Sequence, residues 1–480
     1  MYAAMLLAAA LTLEACGGGG NGTTPPPPPP NGPVVQPVLT TGDRSQLLQS
    51  KATVRFGSGG TNTSFVISVD AATVYQQMDG VGASLTDSSA WVIWNKLDSA
   101  QQAALMQQLF SPTAGIGIGF LRQPMGASDF SASGNYSYDD MPAGQTDPGL
   151  TNFSVAHDEA YIVPLLQQAL AINSSAKVVA LPWSPPAWMK TNDSMNGGEM
   201  NTAYFPSLAQ YSVKFVQEYQ QRGIPIYAIS VQNEPLYSTS NYPSESLSAS
   251  DEADFIANHL GPAMTNAGLS SVKIFGYEHN WDNPSYAETV LASAASYVAG
   301  SSFHCYAGDV SAQSQVRTAY PSKDIWFTEC SGVVGSNFAG DLVWNARNLL
   351  IGSTRNWARA ISLWNIALDQ NSGPTNGGCL SCRSVVTIDD SSHPATVTFN
   401  VEYYVLGHMG KFVVPGAHRI GSNTFGPGSI EDVAFQNPDG SIVLLVLNGA
   451  SSSTAFTVKW KSQTFNYTLP AQSVGTFTWK

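Results

Sequence analysis

From Met78 onward the chain switches between two hydrophobic periods. Short apolar runs of strand length lead through turns into stretches whose apolar residues return every three or four positions. Eight of the short runs read as strands: Met78–Leu85, Ile118–Gln123, Val178–Trp183, Ala228–Gln232, Val272–Tyr277, Ser302–Tyr306, Ile325–Thr328 and Ala360–Trp364. Helical patterns fall between most of them, for example Ser99–Phe110, Asp158–Ile172, Leu208–Arg222, Asp251–Ala267 and Tyr286–Ala299. Alternating strand and helix implies a parallel sheet, and eight repeats imply closure. Residues 78–395 are therefore expected to form an α/β fold, a (β/α)8 TIM barrel.

After about Thr396 the period drops to two. Val443–Leu447, Ala455–Trp460, Thr464–Leu469 and Thr476–Trp479 alternate, with turns such as Asn437-Pro438-Asp439-Gly440 between them. Residues 396–480 read as an all-β sandwich. Thr53–Phe56 and Ser64–Val69, within 51–77, are expected to join it, so that this domain draws on both ends of the chain. Residues 17–50 read as a Gly/Pro-rich tether. Its first part, Gly17 to Pro37, opens on four glycines and runs through six consecutive prolines, Pro25 to Pro30, which favour an extended spacer.

Residues 1–16 read as an export signal. The apolar run Ala3 to Leu13 is too short to span a bilayer. It leads into Leu13-Glu14-Ala15-Cys16-Gly17, which resembles a bacterial lipobox with Cys16 as the lipidated residue. No Lys or Arg precedes the run and Glu14 departs from that pattern, so an ordinary cleaved signal stays open. The expectation is export, either to the cell envelope through a lipid anchor at Cys16 or into the medium.

Composition narrows the partners. Hydrophobic residues make up 43% of the 480 positions, with 11 Trp, 19 Tyr and 20 Phe, enough for a large core. Only 11% are charged and the net charge is −13. Nucleic-acid binding needs a basic stripe, and the sequence has no Lys/Arg cluster. An acidic, Ser/Thr/Asn-rich surface fits an uncharged polar ligand such as a sugar chain. Oligomeric state leaves no trace in the sequence.

The fourth strand pattern ends in Asn233-Glu234-Pro235 and the seventh in Glu329-Cys330-Ser331-Gly332. Two carboxylates thus stand at the carboxyl ends of strands, where barrel chemistry sits. Either one alone fits equally well as a strand cap paired with a nearby cation. Together they suit glycoside hydrolysis, where one acid protonates the leaving oxygen and the other attacks the anomeric carbon.

Further segments carry a resemblance. They are Gly80-Val81-Gly82-Ala83-Ser84-Leu85-Thr86-Asp87, Leu121-Arg122-Gln123-Pro124-Met125-Gly126-Ala127-Ser128-Asp129-Phe130-Ser131, Pro182-Trp183-Ser184-Pro185-Pro186-Ala187-Trp188-Met189-Lys190-Thr191-Asn192, Leu363-Trp364-Asn365 and Tyr404-Val405-Leu406-Gly407-His408-Met409-Gly410-Lys411-Phe412. With the two glutamate segments, and in this order, they resemble glycoside hydrolase family 30, the group of glucosylceramidase and microbial endo-β-1,6-glucanases.

That resemblance implies a retaining β-glycosidase that needs no cofactor and no metal and acts on a β-glucan or glucoside. It makes Glu234 the acid/base and Glu329 the nucleophile. It places Arg122 and Tyr306 beside the nucleophile and Asn233 on the sugar 2-hydroxyl. Asp129, Trp183 and Trp364 fall in the glucose pocket, and Tyr242 lies near the acid/base. A cation at Arg122 is expected to favour ionised Glu329. Asp87, before Ser88-Ser89-Ala90-Trp91, reads as a helix cap.

Cys379-x-x-Cys382 lies in the loop after strand eight. Zinc would need two further ligands and a redox pair a thioredoxin-like helix, so in an oxidising compartment it reads as a local disulfide. Cys305 and Cys330 follow neighbouring strands, and bridged or buried-thiol states both fit. Gly377-Gly378-Cys379 looks like the microbial branch, which favours β-1,6-glucanase over glucosylceramidase-like action. Action as a β-xylosidase or another family β-glycosidase, and sugar binding without turnover, are the alternatives.

Overall fold

The computed structural model describes residues 32–58, 60 and 63–480. The export segment with Cys16, and residues 17–31 of the expected tether, lie outside them.

Eight parallel strands close into a barrel: Gly80–Ser84, Phe120–Pro124, Lys177–Leu181, Ile226–Ser230, Lys273–Trp281, Val298–Gly308, Asp324–Glu329 and Ala358–Asn365. They follow chain order around the ring, and the eighth pairs with the first. Period-two alternation explains how each strand serves two cores. Phe120, Val179, Ala228, Phe275, Trp326 and Ala360 fill the interior, with Phe275 stacked on Trp326 at 3.8 Å. Their neighbours Leu121, Val178 and Ile229 share the outer core with helix residues Leu105, Leu109, Leu165 and Leu166. Strands one and two touch closely enough that a Cβ on Gly82 would collide with the Phe120 carbonyl.

The helices start where local chemistry stops the strand pattern. Ser99–Phe110 opens on a capping box: the Asp98 carboxylate accepts from the N–H groups of Ala100 and Gln101 at 2.9 and 2.8 Å, and the Gln101 side chain reaches back. At Asp87–Lys96 the cap is Thr86, whose hydroxyl accepts from Ser89 N–H at 3.1 Å. Asp87 is not the cap. Its carboxylate accepts instead from Ala132 N–H at 2.6 Å and the Tyr161 hydroxyl at 2.7 Å, tying down the loop after strand two.

The second domain is a β-sandwich built from both chain ends. Val34–Thr41 pairs antiparallel with Ser473–Trp479. Val66–Gln77 pairs antiparallel with His418–Ser422 and parallel with Thr454–Trp460. In this ten-stranded sheet the short strand Val54–Arg55 branches off Val34–Thr41, and just beyond it Gly57 bridges to Thr464, so the strands curl round one core. They enclose Phe56, Ile67, Leu444, Phe456, Phe477 and Trp479.

Two boundaries differ from the sequence reading. The tether expected over 17–50 ends by Val34, because Val34–Thr41 is a strand. Proline at 37 hid it, since proline cannot donate to a ladder; here its carbonyl accepts from Lys51 N–H at 2.9 Å. The barrel also extends past residue 395. Helix Val401–Gly410 buries Val401, Val405, Leu406 and Met409 in the barrel's outer core, and the sandwich resumes at His418. Near the end of that helix, fully buried His408 joins the domains, with Nδ1 2.9 Å from the Thr476 hydroxyl and Nε2 2.8 Å from that of Thr40. Among the described residues no helix is long and apolar enough to cross a membrane.

Candidate active site

At the carboxyl end of strand four the backbone turns sharply. Glu234 has φ +46, a left-handed conformation rare for a residue with a Cβ. Its N–H donates to the Glu278 carbonyl at 3.0 Å and its carbonyl accepts from Tyr237 N–H at 2.8 Å, which hold the turn. Glu329 is the last residue of strand seven and is 95% buried. Both glutamates line one cavity of about 350 Å³ at the carboxyl end of the barrel. Asp129, Trp183, Asn233, Tyr242, Tyr306, Trp364, Cys379 and Cys382 line it too.

Arg122, from strand two, is fully buried beneath the cavity and organises its floor. It donates from Nη1 to Glu329 Oε2 at 2.5 Å, from Nε to Glu278 Oε1 at 3.0 Å and from Nη2 to Asn233 Oδ1 at 2.6 Å. The second Glu329 oxygen accepts from the Tyr306 hydroxyl at 2.8 Å, and Ser230 donates to Glu278 Oε2 at 2.8 Å. His304, on strand six, has Nδ1 3.0 Å from Glu234 Oε1. The other face of its ring has Nε2 3.6 Å from Glu278 Oε1 and 3.5 Å from Arg122 Nη2. His279 Nδ1 stands 3.8 Å from Glu234 Oε1 and has no hydrogen-bond partner.

Three carboxylates therefore draw on one guanidinium and one imidazole, and their acidities follow from that division. Burial disfavours charge on Glu278, but the Arg122 charge and His304 overcome it and hold its pKa down at about 2. Burial likewise opposes charge on Glu234; the His304 hydrogen bond and charge, then His279 and Arg122, outweigh it and lower its pKa. Glu329 goes the other way, because burial and the nearby Glu234 anion exceed what Arg122, His304 and Tyr306 return. Arg122 does favour ionised Glu329, as its position in the sequence suggested. It does not do so alone, since Glu278 takes part of the same cation. The burial of His304 works against its proton, yet the surrounding glutamates raise its pKa to about 9.

Another wall of the cavity comes from the carboxyl ends of strands two, three and eight. Trp183 and Trp364 stack on each other, 4.9 Å between ring centroids and 23° between planes. The Arg122 guanidinium lies over both, 4.8 and 5.4 Å from their centroids. Asp129 Oδ1 is buried with no partner, a free acceptor of the kind that sugar hydroxyls fill. Burial and the anions of Glu329 and Glu234 push its pKa well up. The strand-eight loop closes over this residue: a Cβ on Gly378 would strike Asp129, and one on Gly377, at φ +79, would strike Asn241. Cys379 and Cys382 are joined as a disulfide in that loop. Cys305 and Cys330 are joined as well.

Sequence reasoning named Arg122, Asn233, Glu234, Tyr306 and Glu329, and the structure brings them together. It missed Glu278, His279 and His304. The signal was available, since Glu278-His279 and His304 lie at the carboxyl ends of strands five and six, where the two glutamates were sought. Glu234, His279 and His304 also offer two nitrogens and an oxygen within 4.8 Å of one another. The His304–Glu234 hydrogen bond already uses two of those atoms, so the set reads as an acid–base group.

A closed barrel with two carboxylates from strands four and seven facing one sugar-sized cavity defines an O-glycosyl hydrolase. The chain belongs to glycosyl hydrolase family 30: residues 78–413 match its TIM-barrel domain and residues 416–477 its beta sandwich domain. It is 37% identical to an endo-1,6-beta-D-glucanase of Neurospora crassa over 87% of this chain and 89% of the relative. It is 29% identical to the lysosomal acid glucosylceramidase of Mus musculus over 93% of this chain and 91% of the relative. The solved structure of an endo-beta1,6-glucanase superposes with a TM-score of 0.85 at 32% identity, covering 93% of this chain and 99% of that one.

Proposed function

We propose that the protein cleaves β-1,6-linked glucan internally and with retention, with Glu234 as acid/base and Glu329 as nucleophile. The observation that carries the roles is the fixing of both Glu329 oxygens by donors, Arg122 Nη1 and the Tyr306 hydroxyl, inside the cavity that Glu234 also lines. A carboxylate so held is preorganised to attack C1 of a sugar bound against Asp129 and the two tryptophans. Asn233, itself anchored by Arg122, is placed for the 2-hydroxyl. Glu234 protonates the departing oxygen, and later activates the water that opens the glycosyl–Glu329 ester. The β-1,6 linkage rests on similarity to the endo-1,6-glucanases, which is higher than to the glucosylceramidase.

The test is a panel of β-1,6-, β-1,3- and β-1,4-glucans, xylan and glucosylceramide, with first products followed by NMR. The expected product is a β-anomeric β-1,6 oligosaccharide. An α-anomeric first product would overturn retention, and turnover confined to another linkage would overturn the specificity. We also infer export with a lipid anchor at Cys16, supported by the apolar run and lipobox-like segment. A Cys16→Ser protein still fractionating with membranes would count against it.

A further inference from the structure

Glu234 must offer a proton in the first half of the reaction, yet the groups around it, His304 first, favour its ionised form. The missing proton has a place to reside. His304 is fully buried with one ring nitrogen 3.0 Å from Glu234 Oε1, and no other described residue makes a side-chain hydrogen bond to that carboxylate. The groups that face the imidazole are Glu234 from the loop after strand four, Glu278 and His279 from strand five, Glu329 from strand seven and Arg122 from strand two.

Charge counting favours a proton here. Arg122 against ionised Glu234, Glu278 and Glu329 leaves two uncompensated negative charges around a buried imidazole, and one proton on the Glu234–His304 pair halves that excess.

Resting on the proposed roles of Glu234 and Glu329, we propose that His304 is a positioning residue that stores the acid proton, which crosses the Nδ1–Oε1 hydrogen bond to Glu234 as the leaving oxygen takes a proton from that carboxyl. The bookkeeping closes. A Glu329 oxygen forms the bond to C1, the C1–O electron pair leaves with the glycosidic oxygen, and that oxygen gains the proton. Glu329 loses its charge as an ester while the Glu234–His304 pair goes from neutral to −1, so the net charge of the buried site is constant through the step. Water then gives its proton back to the pair as its oxygen displaces Glu329. A site that need not change its total charge avoids reorganising its surroundings.

The test compares His304→Asn, which keeps an N–H near the Nδ1 position but holds no exchangeable charge, with Glu234→Gln. Both are assayed on phenyl and 2,4-dinitrophenyl β-glycosides, since only the poor phenoxide leaving group needs a proton. His304→Asn should lose about 100-fold in kcat/KM on the phenyl substrate and under about threefold on the dinitrophenyl one. Equal losses on both would show a merely structural histidine, and an undiminished phenyl rate would show no role; either overturns the proposal. If Glu234→Gln itself shows no such leaving-group dependence, the acid assignment fails, and the proposal with it. A second readout is ¹⁵N-histidine NMR of the wild-type protein. The His304 imidazolium, assigned by its loss in His304→Asn, should be present in the free enzyme and lost when the nucleophile is trapped as a 2-deoxy-2-fluoroglycosyl ester, while His157, paired with Asp87, keeps its own signal. An unchanged imidazolium count in the trapped enzyme would overturn the proposal.

Discussion

The two ends of this barrel each bury a cluster of charges, built on the same ring of strands, and they are arranged on opposite principles. At the amino end one fully buried carboxylate, Asp79, meets two cations and two neutral donors, and Asp324 adds a second anion to Arg359 at 3.1 Å. Lys177 Nζ lies at 2.5 Å, Arg359 Nε and Nη2 at 3.1 and 3.2 Å, Trp326 Nε1 at 2.8 Å and the Tyr227 hydroxyl at 3.0 Å. Every Asp79 lone pair has a donor, and its pKa is lowered: burial opposes the charge, but Arg359 and Lys177 overcome it. At the carboxyl end three glutamates divide one arginine and one histidine, and Asp129 Oδ1 and His279 Nδ1 have no hydrogen-bond partner. A saturated cluster holds the fold. An unsaturated one stores the unmet demand that substrate fills, which is why chemistry belongs at that end.

The largest test of this contrast is Glu329→Gln. It should lower kcat on glucan by about 10⁴-fold or more, since the proposed nucleophile is gone. Its melting temperature should equal or exceed that of the parent, because burial works against a charge at this position. A clear loss of stability would mean that the carboxyl end is a structural cluster after all. Asp79→Asn is the mirror experiment. Lys177 would lose its anion and Arg359 would keep only the partly exposed Asp324, at a cost of about 3 kcal/mol in unfolding free energy by denaturant titration. The folded fraction should keep its full specific activity, and a loss of kcat at unchanged stability would erase the distinction between the two ends.

How much of this was legible in sequence follows from how local each signal is. Strand positions were readable because alternation needs only a few neighbours, and the glutamates ended strands already counted. The charge ring was legible only in part: the family resemblance set Arg122 beside Glu329, but nothing near Arg122 announces that it is shared with Glu278, 156 residues away. Helix Val401–Gly410 was lost in the sandwich because apolar residues lie on most of its surface and the strand Thr396–Phe399 precedes it. Asn376 and Gly378 bear on Asp129 only through a loop fold that no periodicity encodes.

A third buried site shows what neutrality does. The burial of His408 drives its pKa down to about 3, so it stays uncharged between its two threonines. In the unfolded chain a histidine takes up its proton near pH 6.5. The folded pKa is depressed, so stability from this residue is complete above pH 6.5 and falls as the pH drops toward 3. At pH 5 the loss is about 2 kcal/mol. His408→Gln should be less stable at pH 7, but its unfolding free energy should fall less steeply between pH 7 and 5. Parallel slopes for the two proteins would place the acid sensitivity elsewhere.

Glu278 is the residue on which the contrast between the two ends can be sharpened furthest. It sits at the carboxyl end and shares Arg122 with Glu329, yet it does not line the cavity and its pKa, at about 2, is as settled as that of a structural anion. If it were only structural, Glu278→Gln would change stability and leave the pH profile in place. The division of charge predicts otherwise. With Glu278 neutral, the Arg122 cation serves Glu329 alone and one nearby anion disappears, so Glu329 ionises at lower pH and the acid limb of kcat/KM moves down. His304 loses one of the anions that keep its pKa at about 9, so the alkaline limb moves down too. The whole bell should shift by about one pH unit toward acid, equivalent to about 1.4 kcal/mol at each group. A shift of one limb alone would separate the arginine from the histidine, and a profile that stays fixed while activity falls would assign Glu278 to packing.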